Sequence, residues 1–407
     1  MAPRIVAAAS LNQTPLDWDG NRARIEQAIQ LALATKAQFL VLPELALTGY
    51  GCEDMFLAPH VQARAVELAI ALSKQTSGLM LNIGLPFSHQ GQLYNCNLIC
   101  CDGRPLGLVA KKHLDGSGIH YEPRWFSQWP VGKLAHVQMG EHALPFGDVV
   151  FSLGGTKVGY EICHDAWVPE RHACDLATRG VGLIANPSAS HFAFGKNAVV
   201  KELVSKGSAL ISGVYVYANL LGCEAGRALY GGDRIIASCG DIITSGERFT
   251  FRDVELTAAL VDLPTASDVA PQESSTGYGL VHAPALPAHS GTAPTHAAGA
   301  WESSRPLKIM DQEVSSLKLE EFARAVSRGL FDYLCKTRSQ GFVISLSGGA
   351  DSAAIACLIK LMLTFSLRDL GATGICKKLS HIHGLSTALA DGTAMRLLLA
   401  TAYQSTG

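Results

Sequence analysis

Four stretches of this chain carry residue types that could do chemistry, and each sits where a strand-like run stops. In Gly159-Tyr-Glu-Ile-Cys163-His164-Asp165-Ala-Trp167, the thiol of Cys163 stands at the mouth of a strand, where the following amides can turn inward and a nucleophile can face a cleft. Glu44 closes the apolar run Phe39-Leu-Val-Leu-Pro43-Glu44, and Lys111-Lys112-His113-Leu114 follows another such run. Ser347-Gly348-Gly349-Ala350-Asp351-Ser352 joins a buried strand to a helix, a turn whose bare backbone and helix dipole suit an anion. Each has a plainer alternative: a core cysteine, a solvated acid, a lysine pair guarding a strand edge, an ordinary glycine turn.

The elements that must position these groups alternate between strand and helix. Arg4–Ser10 reads as a buried strand, and Trp18–Thr35 as a helix that Asp19 can cap, with Ile25, Ala28, Ile29, Ala32 and Leu33 on one face. After the Phe39 strand come a helix over 58–75, a strand over 79–84, and a hairpin of 93–99 with 106–110 turning through Asp102-Gly103. Thr156–Ile162 alternates Val158, Tyr160 and Ile162 against Gly159 and Glu161. Helices over 175–179 and 198–211 then alternate with strands over 181–186 and 214–219, followed by a hairpin of 233–237 with 241–244 and a strand over 255–261. The loop Asp115–Phe126, with two glycines, three aromatic rings, two acids and a base, has the mixture of a site-lining segment.

This pattern makes 1–264 one α/β domain, 265–306 a linker rich in Ala, Pro, Ser, His, Gly and Thr, and 307–407 a second α/β unit. In the second unit, 315–337 is an amphipathic helix, 341–346 a strand and 353–363 a helix, while 371–400 shows no firm pattern. With 407 residues, a net charge of −2 and a pI near 6.7, the composition offers no basic surface for nucleic acid or anionic lipid. Eleven cysteines without framework or zinc spacing read as reduced thiols in a cytoplasmic chain, with no metal site and no uninterrupted apolar run of bilayer length.

The Leu42-Pro43-Glu44, Lys111-Lys112-His113-Leu114 and Ile162-Cys163-His164-Asp165-Ala166-Trp167 motifs resemble, in order, the Glu, Lys and Cys motifs of the nitrilase (carbon–nitrogen hydrolase) superfamily. The Ser347–Ser352 loop resembles the pyrophosphate-binding loop of the ATP pyrophosphatase superfamily. A nitrilase half followed by such a loop is similar to the glutamine-dependent NAD synthetases. The resemblance implies an α-β-β-α sandwich followed by a partial Rossmann-like unit of the adenine nucleotide alpha hydrolase type.

It also implies roles. Glu44 becomes the general base, Lys111 and the His164 amide the oxyanion donors, Cys163 the nucleophile, and Glu122 a second acid that positions the lysine and substrate. Tyr50, Trp167 and Ser190 match substrate-pocket positions. Ser347, Gly348, Gly349, Asp351 and Ser352 fall on ATP-binding positions. Glutamine, ATP and nicotinic acid adenine dinucleotide are the implied substrates, with magnesium accompanying ATP, no tightly bound cofactor, and a homo-oligomer as the assembly. A Cys163-His164-Asp165 triad is disfavoured because adjacent side chains at a strand end diverge, and Glu161 reads as a structural acid or a solvated edge.

Only the first strand, loop and helix of the ATP-using half are recognisable, so an incomplete synthetase domain with exposed apolar surface is expected. Two alternatives stand beside the main reading: a free-standing small-amide amidase, and an inactive partner of a longer synthetase.

Overall fold

The computed structural model describes residues 2–224, 226–265, 279–286, 306–309 and 312–403. In chain order the first half runs β1 (Ala2–Leu11), α1 (Trp18–Ala34), β2 (Phe39–Val41), α2 (Pro59–Ser73), β3 (Met80–His89), β4 (Gln92–Cys101) and β5 (Arg104–Ala110). It continues through α3 (Glu122–Trp125), β6 (Leu134–Met139), β7 (His142–Gly147), β8 (Val149–Leu153), β9 (Thr156–Tyr160), α4 (His172–Thr178), β10 (Leu183–Ser188), α5 (Lys196–Leu210) and β11 (Val214–Asn219). Short β12 (Leu221–Cys223) and β13 (Leu229–Gly231) precede β14 (Arg234–Ser238), β15 (Asp241–Ser245) and β16 (Val254–Leu263).

Among the described residues two large sheets form, ordered β16-β1-β2-β3-β4-β5-β7-β6 and β15-β14-β11-β10-β9-β8, the second extended by β17 (Gly279–His282) beside β8, while β12 and β13 pair separately. The alternation along β1 shows how they stack. Ile5, Ala7, Ala9 and Leu11 meet the apolar faces of α1 and α2, whereas Val6 and Ala8 face Val158, Leu183, Val214 and Ile236 of the other sheet. Val200 and Val204 of α5 and Leu176 of α4 cover the second sheet's outer side. The result is the expected α-β-β-α sandwich.

Two local expectations are corrected and one plainer alternative is set aside. Asp17, not Asp19, caps α1, its carboxylate accepting from the Gly20 amide at 3.1 Å, because the chain turns into the helix one residue before Trp18. Lys111 and Lys112 are not a solvated edge: both are buried, since β5 lies inside its sheet between β4 and β7. Within the stretch expected to be a linker, Gly279–His282 is an edge strand pairing in parallel with Val149–Ser152; most of the remaining linker lies outside the described residues.

The second unit holds the hairpin β18 (Pro306–Ile309) and β19 (Gln312–Ser315), α6 (Ser316–Thr337), β20 (Phe342–Ser345), α7 (Ala350–Lys378), α8 (Leu385–Ala390), α9 (Ala394–Leu398) and β21 (Leu399–Ala402). Thus 371–400 is mostly helical, and β21 pairs in parallel with β20. Over 18 residues α7 reaches a mean hydropathy of 1.6, which by length and composition alone would suffice to cross a membrane. It is broken at Gly371 (φ 65°), and Ile359, Met362, Leu363 and Ile375 join a core with Phe331 of α6 and Phe251. Val343 and Tyr403 stay about three-quarters exposed, at 76% and 75%.

Polar locks tie this unit to the sandwich. Asp332 accepts from Asn12 Nδ2 (3.0 Å) and the Cys223 amide (2.8 Å), while Lys336 Nζ donates to the carbonyls of Gln13 and Cys223.

Candidate hydrolase site

Glu44, Lys111, Cys163 and Ser190 arrive together because β2, β5, β9 and β10 end on one rim of the sandwich. Asn82 fixes the approach of Glu44, exchanging hydrogen bonds with the Leu42 amide and carbonyl at 3.0 Å each. Lys111 leaves β5 with its amide on the Asn95 carbonyl at 2.9 Å. Cys163 begins a single 3₁₀ turn, Cys163–Ala166, with φ of 45°. That left-handed backbone is strained by about 1–2 kcal/mol for a residue with a Cβ.

The centre is a buried ion triplet. Lys111 Nζ lies 2.6 Å from Glu44 Oε1 and 2.7 Å from Glu122 Oε1, and none of the three side chains is more than 1% exposed. Glu44 also accepts from Asn95 Nδ2 (2.7 Å) on Oε1 and from the Ala189 amide (3.0 Å) on Oε2. Glu122 accepts from the Tyr50 hydroxyl (2.7 Å) on Oε1 and from the Asp115 amide (3.1 Å) on Oε2.

Burial pushes Glu44 up to about 7 and Glu122 adds to the rise, while Lys111 opposes it. Although burial disfavours its charge, Lys111 is held above the ordinary lysine range by Glu122, Glu44 and Cys163. Burial and Glu44 raise the Cys163 thiol well above its ordinary value, against Lys111 and a hydrogen bond with the Ala189 backbone. The resting pair is therefore a neutral thiol beside a carboxylate able to act as base near neutrality.

Asp165 is a clamp rather than a triad member. Its Oδ1 accepts the amides of Lys112 (3.0 Å) and His113 (2.7 Å), and its Oδ2 accepts Ile162 N (2.9 Å). One carboxylate thus locks the segment after Lys111 to the segment before Cys163. Glu161 is structural: it is buried and accepts from Arg171, the Tyr215 hydroxyl (2.6 Å) and the Ala173 amide (2.7 Å).

Of the remaining expected residues, Tyr50 touches this centre directly, and Trp167, Ser190 and His164 lie on the segments that follow β9 and β10. Tyr50 is buried, with its hydroxyl also 2.9 Å from His120 Nδ1. Trp167 is half-buried under Lys196, whose Nζ lies 5.6 Å from its ring centroid. Ser190, after β10, donates its amide to Asn219 Oδ1 at 2.8 Å. The His164 ring is 29% exposed and stands 3.8 Å from Asp115.

Asn95, Ala189, His120 and His191 were not expected in the site. Of these only His120 had a sequence signal, the unusual Asp115–Phe126 loop. Among the described residues Asp148, His172 and Asp175 have ligand types and spacing for a metal, but Arg179 lies 2.7 Å from Asp148 and Lys112 3.5 Å, so this set already holds two cations.

The phosphate-type loop is separate. Gly348 has φ of 79°, Ser347 Oγ accepts the Gly349 amide at 3.3 Å, and Ser352 donates to the Gly349 carbonyl at 3.2 Å as α7 begins. Ser347, Asp351 and Ser352 line an open cavity of about 360 Å³ with Phe342, Val343 and Ile355. A Cβ on Gly348 would meet nothing within 4 Å, so the backbone there is open to a ligand.

Residues 5–269 match the family described as carbon-nitrogen hydrolase. The chain is 32% identical over 387 residues to the glutamine-dependent NAD(+) synthetase of Oryza sativa subsp. indica, covering 90% of this chain and 51% of that protein. It is 33% identical over 374 residues to the Saccharomyces cerevisiae enzyme of the same name, covering 88% and 52%. The chain therefore spans about half the length of the curated relatives it matches.

Among solved structures, a glutamine-dependent NAD(+) synthetase from Cytophaga hutchinsonii superposes with a TM-score of 0.79 at 34% identity, covering 100% of this chain and 60% of that one. A nitrilase-superfamily amidase from Nesterenkonia shares the fold, with a TM-score of 0.51 at 21% identity over 66% of this chain and 93% of that one. Together with the Glu44, Lys111 and Cys163 cluster, the match over 5–269 makes the chain a member of the carbon–nitrogen hydrolase family.

Proposed function

We propose that the chain carries the glutamine-hydrolysing site of a glutamine-dependent NAD synthetase, and that ammonia made at Cys163 serves the ATP-dependent amidation of nicotinic acid adenine dinucleotide. The observation that carries the first part is the ammonium of Lys111 shared between two buried carboxylates beside a strained, buried thiol. The second part is supported by the names of the relatives, by their alignment across both units, and by the open loop at the start of α7.

In this reading Glu44 takes the thiol proton as the Cys163 sulfur attacks the side-chain amide carbon of glutamine. The oxyanion forms against Lys111 Nζ and the His164 amide. The C–N bond breaks as Glu44 returns the proton to nitrogen, and ammonia leaves a glutamyl thioester. Water, deprotonated by Glu44, then attacks; the C–S bond breaks as Glu44 returns that proton to the Cys163 sulfur, and glutamate departs. Glu122 acts by keeping Lys111 charged and in place. Tyr50, Trp167, Ser190 and His164 surround the substrate, and Ser347, Gly348, Gly349, Asp351 and Ser352 meet the phosphates of ATP, with magnesium accompanying the nucleotide.

A second reading is an amidase that needs no nucleotide, favoured by the Nesterenkonia fold match, which covers 93% of that enzyme. The test is ammonia release from glutamine by the purified chain and by Cys163→Ala, with and without ATP, magnesium and nicotinic acid adenine dinucleotide, with NAD measured in parallel. Ammonia lost in the variant establishes the hydrolase. NAD formation establishes the coupled reaction, and ammonia unaffected by the substitution refutes Cys163 as nucleophile.

A further inference from the structure

A line of hydrogen bonds leads from the ion triplet toward the surface, and its hydrogens can be assigned by elimination. Glu122 Oε1 already receives Lys111 and its Oε2 the Asp115 amide, so the carboxylate acts purely as acceptor and the Tyr50 hydroxyl must donate to it at 2.7 Å. Having spent its only hydrogen, the Tyr50 oxygen can only accept from His120 Nδ1 at 2.9 Å. A neutral His120 with its hydrogen on Nδ1 must accept at Nε2, so half-buried His191 donates from Nδ1 across 2.9 Å. Three donors in series point inward at one carboxylate.

We propose that His120, oriented by His191, is a positioning residue for the hydrolase site: its Nδ1–H turns the Tyr50 hydroxyl onto Glu122 and so holds that carboxylate as the anionic partner of Lys111. The proposal rests on the reading that Lys111 stabilises the oxyanion. His120 does not enter the ion triplet itself; its effect passes through Tyr50 and Glu122.

The charged and titratable groups facing the pair are consistent with two neutral rings. His120 is met by Asp115 at 3.8 Å, and by Glu122, Lys111 and Lys196; His191 is met by Lys196, His120 and Asp115. Tyr50 is faced by Glu122, Glu44 and Tyr230. Burial lowers both histidines; Asp115, joined at His120 by Glu122, opposes this, the neighbouring cations add to it, and His191 is brought to about 4. His120 is itself 5% exposed and packs edge-on against Tyr50 at 5.5 Å, a shape that phenylalanine can fill.

The test compares His120→Phe, His120→Gln and His120→Asn in glutamine hydrolysis from pH 5.5 to 9. Asparagine places an N–H where Nδ1 stood, whereas glutamine's amide nitrogen corresponds to Nε2. His120→Phe and His120→Gln are expected to lose roughly tenfold to a hundredfold, the range for a hydrogen bond to a charged group, mainly in kcat and with the acid limb moved to higher pH. His120→Asn is expected to recover most of kcat and the wild-type limb. Equal impairment of all three would reduce His120 to packing, and an unchanged His120→Phe would overturn the proposal outright.

If the wild-type chain releases no ammonia from glutamine, the functional reading fails. The chain of donors is then judged by long-range proton–nitrogen correlation spectra of the Cys163→Ala protein at pH 7. A neutral His120 protonated at Nδ1, disturbed by Tyr50→Phe, supports the assignment; a charged His120 or one protonated at Nε2 overturns it.

Discussion

Lys111→Met removes the cation lying between Glu44 and Glu122 while keeping the length of the side chain. Two contacts, of 2.6 and 2.7 Å, are lost at a point where all three side chains are essentially inaccessible. Breaking a buried pair by deleting one partner costs about 3–5 kcal/mol, because the remaining charge is uncompensated. Here two like charges remain, and Glu44 already stands at about 7 with the lysine present. Without it both carboxylates are driven toward the neutral form. A carboxylate whose folded pKa is raised favours the folded state below its ordinary value and loses that contribution as pH rises through the folded value. The stability loss of Lys111→Met should therefore be largest at pH 8 and smaller at pH 5.5, by about 1.4 kcal/mol for each unit by which the substitution raises a folded-state carboxylate pKa within that window. Urea unfolding of variant and wild type at the two pH values measures it, and glutamine hydrolysis should fall about 10²–10³-fold, as for an oxyanion donor. Equal stability losses at both pH values, or hydrolysis close to wild type, would refute the ionised triplet.

Four other outcomes are expected. The kcat/KM for glutamine should rise through pH about 7 as burial-shifted Glu44 loses its proton, and a limb at the ordinary carboxylate value would exclude Glu44 as base. Glu161→Gln should lower stability by about 2–4 kcal/mol, because Arg171 loses its buried partner, while the folded fraction keeps its hydrolytic rate; loss of kcat without loss of stability would instead make Glu161 the base. Burial holds His191 at about 4, so the unfolded chain binds an extra proton between pH about 6.5 and about 4; stability should drop as pH falls through that window, and less steeply in His191→Gln. Gly348→Ala should cost about 1–2 kcal/mol through its left-handed backbone alone, since its Cβ meets no atom, and should weaken binding of a non-hydrolysable ATP analogue; unchanged nucleotide binding would remove the loop from the site.

What the sequence shows of this fold is what short-range periodicity encodes. Alternation along Thr156–Ile162 locates the strand end that presents Cys163, and Asp102-Gly103 marks the hairpin turn, where both residues take positive φ (49° and 78°). The linker composition hides β17 because its register comes from pairing with β8, a contact set by tertiary packing. Likewise Asn95 and the Ala189 amide reach Glu44 across sequence separations of 51 and 145 residues, and neither sits in a pattern that names its partner. The burial of Lys111 and Lys112 was equally hidden, since a lysine pair after a strand reads as an edge until β7 is placed beside β5.

The same lysine pair shows how the site acquires its precision. Consecutive residues at a strand end diverge, so Lys111 reaches Glu44 and Glu122 while Lys112 reaches Asp148 at 3.5 Å, within a separate network of His172 and Arg179. Asp165 grips the Lys112 and His113 amides just beyond Lys111 and the Ile162 amide just before Cys163. A shift of β5 against β9 would therefore break hydrogen bonds to a buried carboxylate and separate a buried ion pair together, each expensive in a medium that offers no water to replace them. The charges that perform the proposed chemistry and the charges that hold the two sheets in register are neighbours along one strand end. Asp165→Asn should accordingly act at a distance: it leaves every proposed substrate-contacting side chain intact, yet loosens the spacing between Lys111 and Cys163 and should lower kcat more than it raises KM.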